Sequence, residues 1–336
     1  MLNLIGKVFF VLCLLLSNHL IAAEKYDFVV AQDGSGDFIS IQKAIDACKA
    51  FPDKRIIIFV KNGTYKEKLV VPSCNSLLSI VGESVEKTII TYDDYFDKIN
   101  RGRNSTFYTY TLKVEANDFR LENITVENSA GPVGQAVALH VEGDRCVFVN
   151  CRFRGNQDTV YAAGRFSRQY FRNCYIEGTT DFIFGEATAL FEACVIHCKA
   201  DSYITAASTS EGKPFGFVFQ NCKITAAEGV KKIYLGRPWR IYAKTAYLNC
   251  EMGAFICPEG WSNWSKPESE KLAVYAEYNN SGAGASITER VSWSIRLSAK
   301  DAEGYTKENI FTSFGWEVPS AGKWYDFDLQ TEKPLK

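Results

Sequence analysis

An excess of either charge is missing from this chain: 38 Lys and Arg stand against 39 Asp and Glu, a formal net charge of −1. That balance leaves no global basic field to hold nucleic acid or an anionic membrane surface. Beyond the N-terminal 23 residues there is no apolar run long enough to span a bilayer. Long helical periods are also scarce, which argues against a helical bundle. No acidic cluster of the kind that binds calcium is found, and neither a metal nor another cofactor is expected. His140 and His197 stand apart from other ligand-type residues and read as structural.

What the chain does contain is a repeat. Phe148-Val149-Asn150-Cys151 is matched 23 residues later by Phe171-Arg172-Asn173-Cys174. The pattern continues through Phe191-Glu192-Ala193-Cys194, Phe219-Gln220-Asn221-Cys222 and Leu248-Asn249-Cys250, with cysteine steps of 23, 20, 28 and 28. Leu121-Glu122-Asn123-Ile124 is an earlier copy with isoleucine in the cysteine slot. Periods of this size indicate a solenoid whose units bury their apolar faces against one another. The β-branched and aromatic residues alternate, which favours strands. The expected fold is all-β: a right-handed single-stranded parallel β-helix. Its coils would stack at about 4.8 Å, turning the Asn and Cys positions into inward ladders.

The rest of the chain fits around that core. Residues 1–23 carry Lys7, an apolar stretch over 8–16 and the small-residue ending Ile21-Ala22-Ala23, the pattern of a removable signal peptide. The protein is therefore expected to be exported to a periplasmic or extracellular space, with no membrane attachment after signal removal. Ser40 begins a short helix with Ile41, Ala44, Ile45 and Cys48 on one face, suited to capping the open first coil. The catalytic domain is expected over 24–320, with 267–320 forming a C-terminal cover and 321–336 a tail. Ten cysteines remain after the signal. Most read as small core hydrophobes. Cys174 and Cys194, separated by the shortest step, are expected to form a disulfide.

The repeat also places chemistry. Asp158 follows Cys151 by seven residues and Asp181 follows Cys174 by seven, so the two carboxylates become neighbours on successive coils. Two such groups cannot both ionise freely, which separates an acid from a base or nucleophile. Asp201, seven after Cys194, could extend the ladder. Gln135 lies 23 residues before Asp158 and is expected in the same row, where its amide would suit an oxyanion. Arg237, in Leu235-Gly236-Arg237-Pro238-Trp239, could hold Asp181 ionised, or serve only as a surface ion pair. Trp239 could stack on a sugar or fill the core; Trp261 and Trp264 carry the same ambiguity. Arg165 or Arg168, on the connection 162–169, could meet free carboxylates of an acidic polymer.

Taken together, Gly63-Thr64-Tyr65-Lys66-Glu67, Gln135-Ala136-Val137-Ala138-Leu139, Gly155-Asn156-Gln157-Asp158-Thr159, Asp181-Phe182-Ile183-Phe184-Gly185, Leu235-Gly236-Arg237-Pro238-Trp239 and Gly260-Trp261-Ser262-Asn263-Trp264 resemble the pectin methylesterase (pectinesterase) family, in order and over nearly the whole mature chain. The resemblance implies a parallel β-helix that hydrolyses the C6 methyl esters of polygalacturonate (pectin, homogalacturonan) to carboxylate and methanol. It implies Asp181 as nucleophile, Asp158 as general acid and base, Gln135 and Gln157 as oxyanion donors, and Arg237 orienting Asp181. It also implies Phe184, Trp239 and Trp261 along the sugar groove. Val160 stands where the family has Leu, and the connection 162–169 is about two residues longer than usual in the family. A monomer is the default expectation.

Three rival readings remain open at this level. A polygalacturonase also uses paired aspartates, but its Gly-His-Gly and Arg-Ile-Lys signatures are absent. A non-catalytic carbohydrate-binding solenoid would not need the aspartate pair. An esterase or thioesterase on the same scaffold could act on another acyl substrate.

Overall fold

The structure, a computed structural model, describes residues 26–312 and 323–326; the 1–23 segment and most of the 321–336 tail lie outside the described residues. The repeat becomes a coil of three short strands. Each coil visits an eleven-stranded, an eight-stranded and a seven-stranded sheet in turn, and neighbouring strands in every sheet are parallel. One coil runs through Cys146–Val149, Arg152–Arg154 and Val160–Ala162; the next runs through Arg168–Arg172, Tyr175–Gly178 and Ile183–Gly185. The protein is a parallel β-helix.

The corner between the first two strands of a coil explains the Asn-Cys pair. Asn123, Asn150, Asn173, Ala193, Asn221 and Asn249 all have φ between 50° and 55°, the left-handed region that asparagine tolerates better than most residues. A single residue in that conformation turns the chain and throws its own side chain outward. The asparagines therefore do not form the expected inward ladder: Asn150, Asn173, Asn221 and Asn249 are exposed, and Asn150 bonds Asn123 along the outside at 2.5 Å. The next residue points in. Cys151, Cys174, Cys194, Cys222 and Cys250 form a buried column.

The expected Cys174–Cys194 disulfide is also corrected. Both thiols are free. Cys174 Sγ donates to the Phe148 carbonyl at 3.4 Å and Cys194 Sγ to the Phe171 carbonyl at 3.5 Å. In-register parallel neighbours stay about a strand spacing apart with their Cβ vectors side by side, whereas a disulfide draws Cβ atoms to about 3.8 Å. The ladder that brings the cysteines together also keeps them from bonding.

Beside the thiols runs a column of rings. Phe148, Phe171, Phe191, Phe219 and Tyr247 stack with centroids 4.4–4.7 Å apart and interplanar angles of 8–14°. In-register strand pairing sets each ring on the one below it although the steps along the chain are unequal, and each ring is fully buried. The N-terminal end is closed as expected: Ile41–Ala47 is a helix with Ile41, Ala44 and Ile45 buried. Glu67 fixes its start, accepting from Ser40 Oγ at 2.7 Å and from the Ile41 and Gln42 amides at 3.0 Å.

The described part of the 267–320 stretch, up to residue 312, divides in two. Val274–Tyr278 is a further rung, pairing with Lys244–Leu248 in the eleven-stranded sheet. The helix Lys307–Thr312 covers the outer face of that sheet, with Ile310 and Phe311 packed in a cluster with Tyr170, Leu190 and Val218. Among the described residues no helix is long and apolar enough to cross a membrane. Thiol titration in guanidinium checks the cysteine column: the count should be the same before and after reduction, whereas a Cys174–Cys194 bond would add two on reduction.

Candidate active site

Asp158 and Asp181 sit at equivalent corners. Each lies two residues before its strand in the seven-stranded sheet, Val160–Ala162 or Ile183–Gly185, and those strands are adjacent and in register. Both corners use left-handed backbone, φ 66° at Asp158 and 49° at Asp181. Non-glycine residues held there cost on the order of 1–2 kcal/mol each, and such strain collects at functional sites. Asp158 N donates to Thr180 O at 3.1 Å and Asp181 N to Tyr203 O at 2.8 Å, so a backbone bond to the next coil holds each corner.

The two carboxylates have unequal surroundings. Arg237 grips Asp181 in a fork, Nε to Oδ1 at 2.9 Å and Nη2 to Oδ2 at 2.6 Å. Register explains the reach. Phe184, Ala206 and Arg237 are successive members of one outward column, and the small methyl of Ala206 lets the guanidinium lean back towards Asp181. Gly236 beside it is crowded: an added Cβ would stand 2.1 Å from Thr205 Oγ1 and 3.3 Å from the Trp261 ring. The guanidinium carbon also lies 4.0 Å from the Tyr203 ring centroid and 3.7 Å from that of Trp264. Asp158 is 8% exposed, and its carboxyl has no protein hydrogen-bond partner among the described residues.

The electrostatics follow from that difference. Burial, and then the charge of Asp181, push the Asp158 carboxyl well above its ordinary value. Burial also raises Asp181, but the hydrogen bonds and charge of Arg237 oppose the rise, with Lys266 beyond. The expectation that Arg237 simply lowers Asp181 is thus modified: the guanidinium limits an increase that desolvation drives. The order of the pair is clear, with Asp158 the better proton holder.

The glutamines shift by one place. Gln135 pairs with Gln157 across neighbouring coils, not with Asp158, because the offset here is 22 residues and not 23; it falls to 21 in the strands that follow, Leu139–Val141 and Val160–Ala162, after the Ala138 and Leu139 amides both donate to Thr159 O. The two amides thus form their own row, one residue before Asp158. Both side chains are part-exposed, with no protein partner among the described residues.

The aromatic groove differs more. Trp239 is half-buried, and Phe184 is 4% exposed, stacked on Tyr161 at 4.6 Å and forming the floor. Trp261 is not on the groove. It is 1% exposed, stacks on Tyr275 at 4.4 Å, and donates Nε1 to Glu277 at 3.2 Å. A ring enclosed on both faces has no surface for a sugar. The second tryptophan of the Gly260-Trp261-x-x-Trp264 motif takes that place. Trp264 and Ser265 both have φ 54°, and this double left-handed turn sends Trp264 back over Arg237. Phe107 also reaches the site from a distant segment, Gly102–Tyr108, and Tyr203 from the next coil beside Asp181; neither carries a signal in the sequence.

Asp201 is not a third rung. It is exposed and accepts from the Lys231 and Lys232 amides at 2.7 and 2.9 Å. Arg168 also leaves the groove: it pairs with Asp144 at 2.6 Å and donates to the Phe311 carbonyl at 3.0 Å. Arg165 stays exposed and, with Trp239, Arg240 and Lys266, lines a recess of about 660 Å³ beside the aromatic groove.

Known proteins resemble this chain in sequence and fold. The Pectinesterase family model matches residues 27–313. Pectinesterase 31 of Arabidopsis thaliana is 42% identical over 281 residues, covering 81% of this chain and 88% of that protein. Pectinesterase 4 of the same plant is 37% identical over 310 residues, and there the match spans 88% of this chain but only 52% of the longer relative. The solved pectin methylesterase from carrot superposes with a TM-score of 0.80 at 32% identity, covering 87% of this chain and 95% of that one. With the family model spanning nearly all the described residues, the chain belongs to the pectinesterase family, carboxylic ester hydrolases built on a parallel β-helix.

Proposed function

We propose that this chain removes C6 methyl esters from pectin through Asp181 and Asp158. One observation carries the assignment of roles: of two buried carboxyls on adjacent coils, one is forked to an arginine and the other has no hydrogen-bond partner among the described residues. Asp181, kept anionic and aimed by Arg237, adds through one oxygen to the ester carbonyl carbon. The carbonyl oxygen becomes an oxyanion within reach of the Gln135 and Gln157 amides, which are neutral donors and leave the carboxylate pair's charges unchanged. As the tetrahedral intermediate collapses, the C–O bond to methoxide breaks and Asp158 supplies the proton, so methanol departs. An acyl-aspartyl anhydride remains. Water then attacks it and gives its proton to Asp158. Asp181 leaves as carboxylate, and both groups return to their starting states.

The sugar chain would lie on Trp239 and Trp264, over the Phe184 and Tyr161 floor. Residues 1–23 would export the protein to the periplasm or extracellular space, where pectin is met.

Methanol release from pectin tests this reading. Asp181→Ala should lower kcat by at least about 10³-fold and Gln135→Ala by about 10²-fold. EDTA should leave the parent rate unchanged, and polymer viscosity should not fall. Retention of activity by Asp181→Ala would remove the proposed nucleophile.

The pH profile follows from the shifts. Activity needs Asp181 ionised and Asp158 protonated, so kcat/KM should be bell-shaped. Its acid limb should lie above the ordinary carboxylate range and its alkaline limb should track loss of the Asp158 proton, the two apparent values belonging to the pair. Stability carries a matching sign. Because folding raises the Asp158 pKa, its favourable contribution is full below the unfolded value, about 3.9, and is lost as pH rises through the folded value. Asp158→Asn, which carries no charge and accepts left-handed backbone, should be inactive yet melt higher than the parent at neutral pH. The gain should shrink towards pH 4.

Arg165 supplies a finer expectation about substrate. Its guanidinium, exposed at the recess by Trp239, would meet a free carboxylate on a partly de-esterified chain. Arg165→Ala should reduce the ratio of rates on low- to high-methyl pectin by about 3-fold, the size of an exposed ion pair. An unchanged ratio would dismiss that contact.

A further inference from the structure

The loop 262–269 brings Trp264 over Arg237, and the way its tip is held has a consequence for the reaction. The start of the loop is fixed by backbone: Trp261 bridges Gly236, and Ser262 N donates to Gly236 O at 3.1 Å. Within the loop, Ser262 Oγ accepts from Trp264 N at 3.2 Å and Asn263 Oδ1 from Ser265 N at 2.9 Å. Fully buried Ser269 donates to Lys266 O at 2.7 Å. These bonds shape the loop without tying its far side to the strand that carries Arg237.

Lys266 makes that tie. Its ammonium donates to the carbonyls of Pro238 and Trp239 at 2.9 and 3.0 Å, the end of the Ile233–Pro238 strand and the residue after it. The same ammonium lies 4.6 Å from the centroid of the Trp264 ring, which also meets the Arg237 guanidinium at 3.7 Å. One cation therefore joins the groove tryptophan Trp239, the ring over the guanidinium and the strand end next to Arg237. It is also one of the two positive side chains, with Arg237, that act on Asp181. The charged groups around Lys266 itself are Arg240, Arg237, Glu268 and Asp181, and burial together with Arg240 lowers its own pKa.

We propose that Lys266 is a positioning residue for ester hydrolysis: by clamping the 262–269 loop to the end of the Arg237 strand, it holds Trp264 against Arg237 and so keeps the guanidinium aimed at Asp181. The inference rests on the roles assigned above to Asp181 and Arg237. It assigns to Lys266 no contact with the reacting atoms. An error of about 1 Å in such an aim is enough to matter, because small misplacements of a reacting group cost up to about 10²-fold in rate. Losing charge-assisted hydrogen bonds to two carbonyls and a cation–π contact is a sufficient cause for such an error.

The test compares Lys266→Met and Lys266→Arg with the parent, reading methanol release against pH, kcat and KM separately, and melting temperature. The methionine keeps the unbranched stem but neither the charge nor the donors. It should lower kcat about 10-fold, with a smaller rise in KM, and should move the acid limb to higher pH because Asp181 loses a nearby positive charge. The arginine should restore the acid limb and most of kcat. A methionine variant with parental kcat and an unmoved acid limb, whatever its melting temperature, overturns the assignment. If that variant does not fold, Lys266→Gln carries the same comparison. Inactivity of the parent on pectin would instead refute the ester-hydrolase reading, so the two failures are distinct.

Discussion

In-register stacking of parallel coils is the constraint on which everything else in this protein depends. Each strand bonds only to the strand one coil before and one coil after, so a residue's neighbours are set by counting along the chain. The same rule that stacks Phe148 on Phe171 at 4.6 Å sets Asp158 beside Asp181. The core and the site are two columns of one lattice. Left-handed corner residues make the lattice possible, since a single such residue turns the chain sharply while the flanking strands stay regular.

A charged pair in such a lattice would be unfavourable without compensation. The protein answers with asymmetry. Desolvation acts on both carboxyls, yet only Asp181 receives the fork from Arg237, so Asp158 holds its proton more tightly than Asp181. Arg237 is itself steadied by the rings of Tyr203 and Trp264, and Trp264 also belongs to the aromatic cluster of Phe184, Tyr161 and Trp239 beside it. Under the proposed roles, Trp264 would link substrate binding to the aim of Asp181.

Much of this was legible in the chain, for a definite reason. A repeat with a cysteine, a corner asparagine and an aspartate at fixed offsets encodes a β-helix, and the period predicts which side chains become neighbours. Asp158, Asp181 and Arg237 were found that way and by resemblance to a known family. The errors arose where the count alone does not decide direction. The asparagines point outward, because a left-handed corner reverses the side chain. The stacked cysteines stay reduced, because parallel neighbours are held too far apart. Gln135 aligns with Gln157, because one connection is shorter than the period.

The amino-acid sequence by itself determined the coil, its inward apolar columns and the pairing of two carboxylates, since these depend on spacing, and spacing is written in the chain. Only the tertiary structure decided which tryptophan of the Trp261–Trp264 pair faces the groove, that Arg168 is spent on Asp144 while Arg165 remains exposed, and that Phe107, Tyr203 and Lys266 come to lie around Trp239, Arg237 and Trp264. Those outcomes depend on side-chain packing, as for Tyr203 and Arg168 on their strands, and on loops that leave the repeat. Outside the repeat, position follows from packing against distant segments and no longer from the number of residues between them.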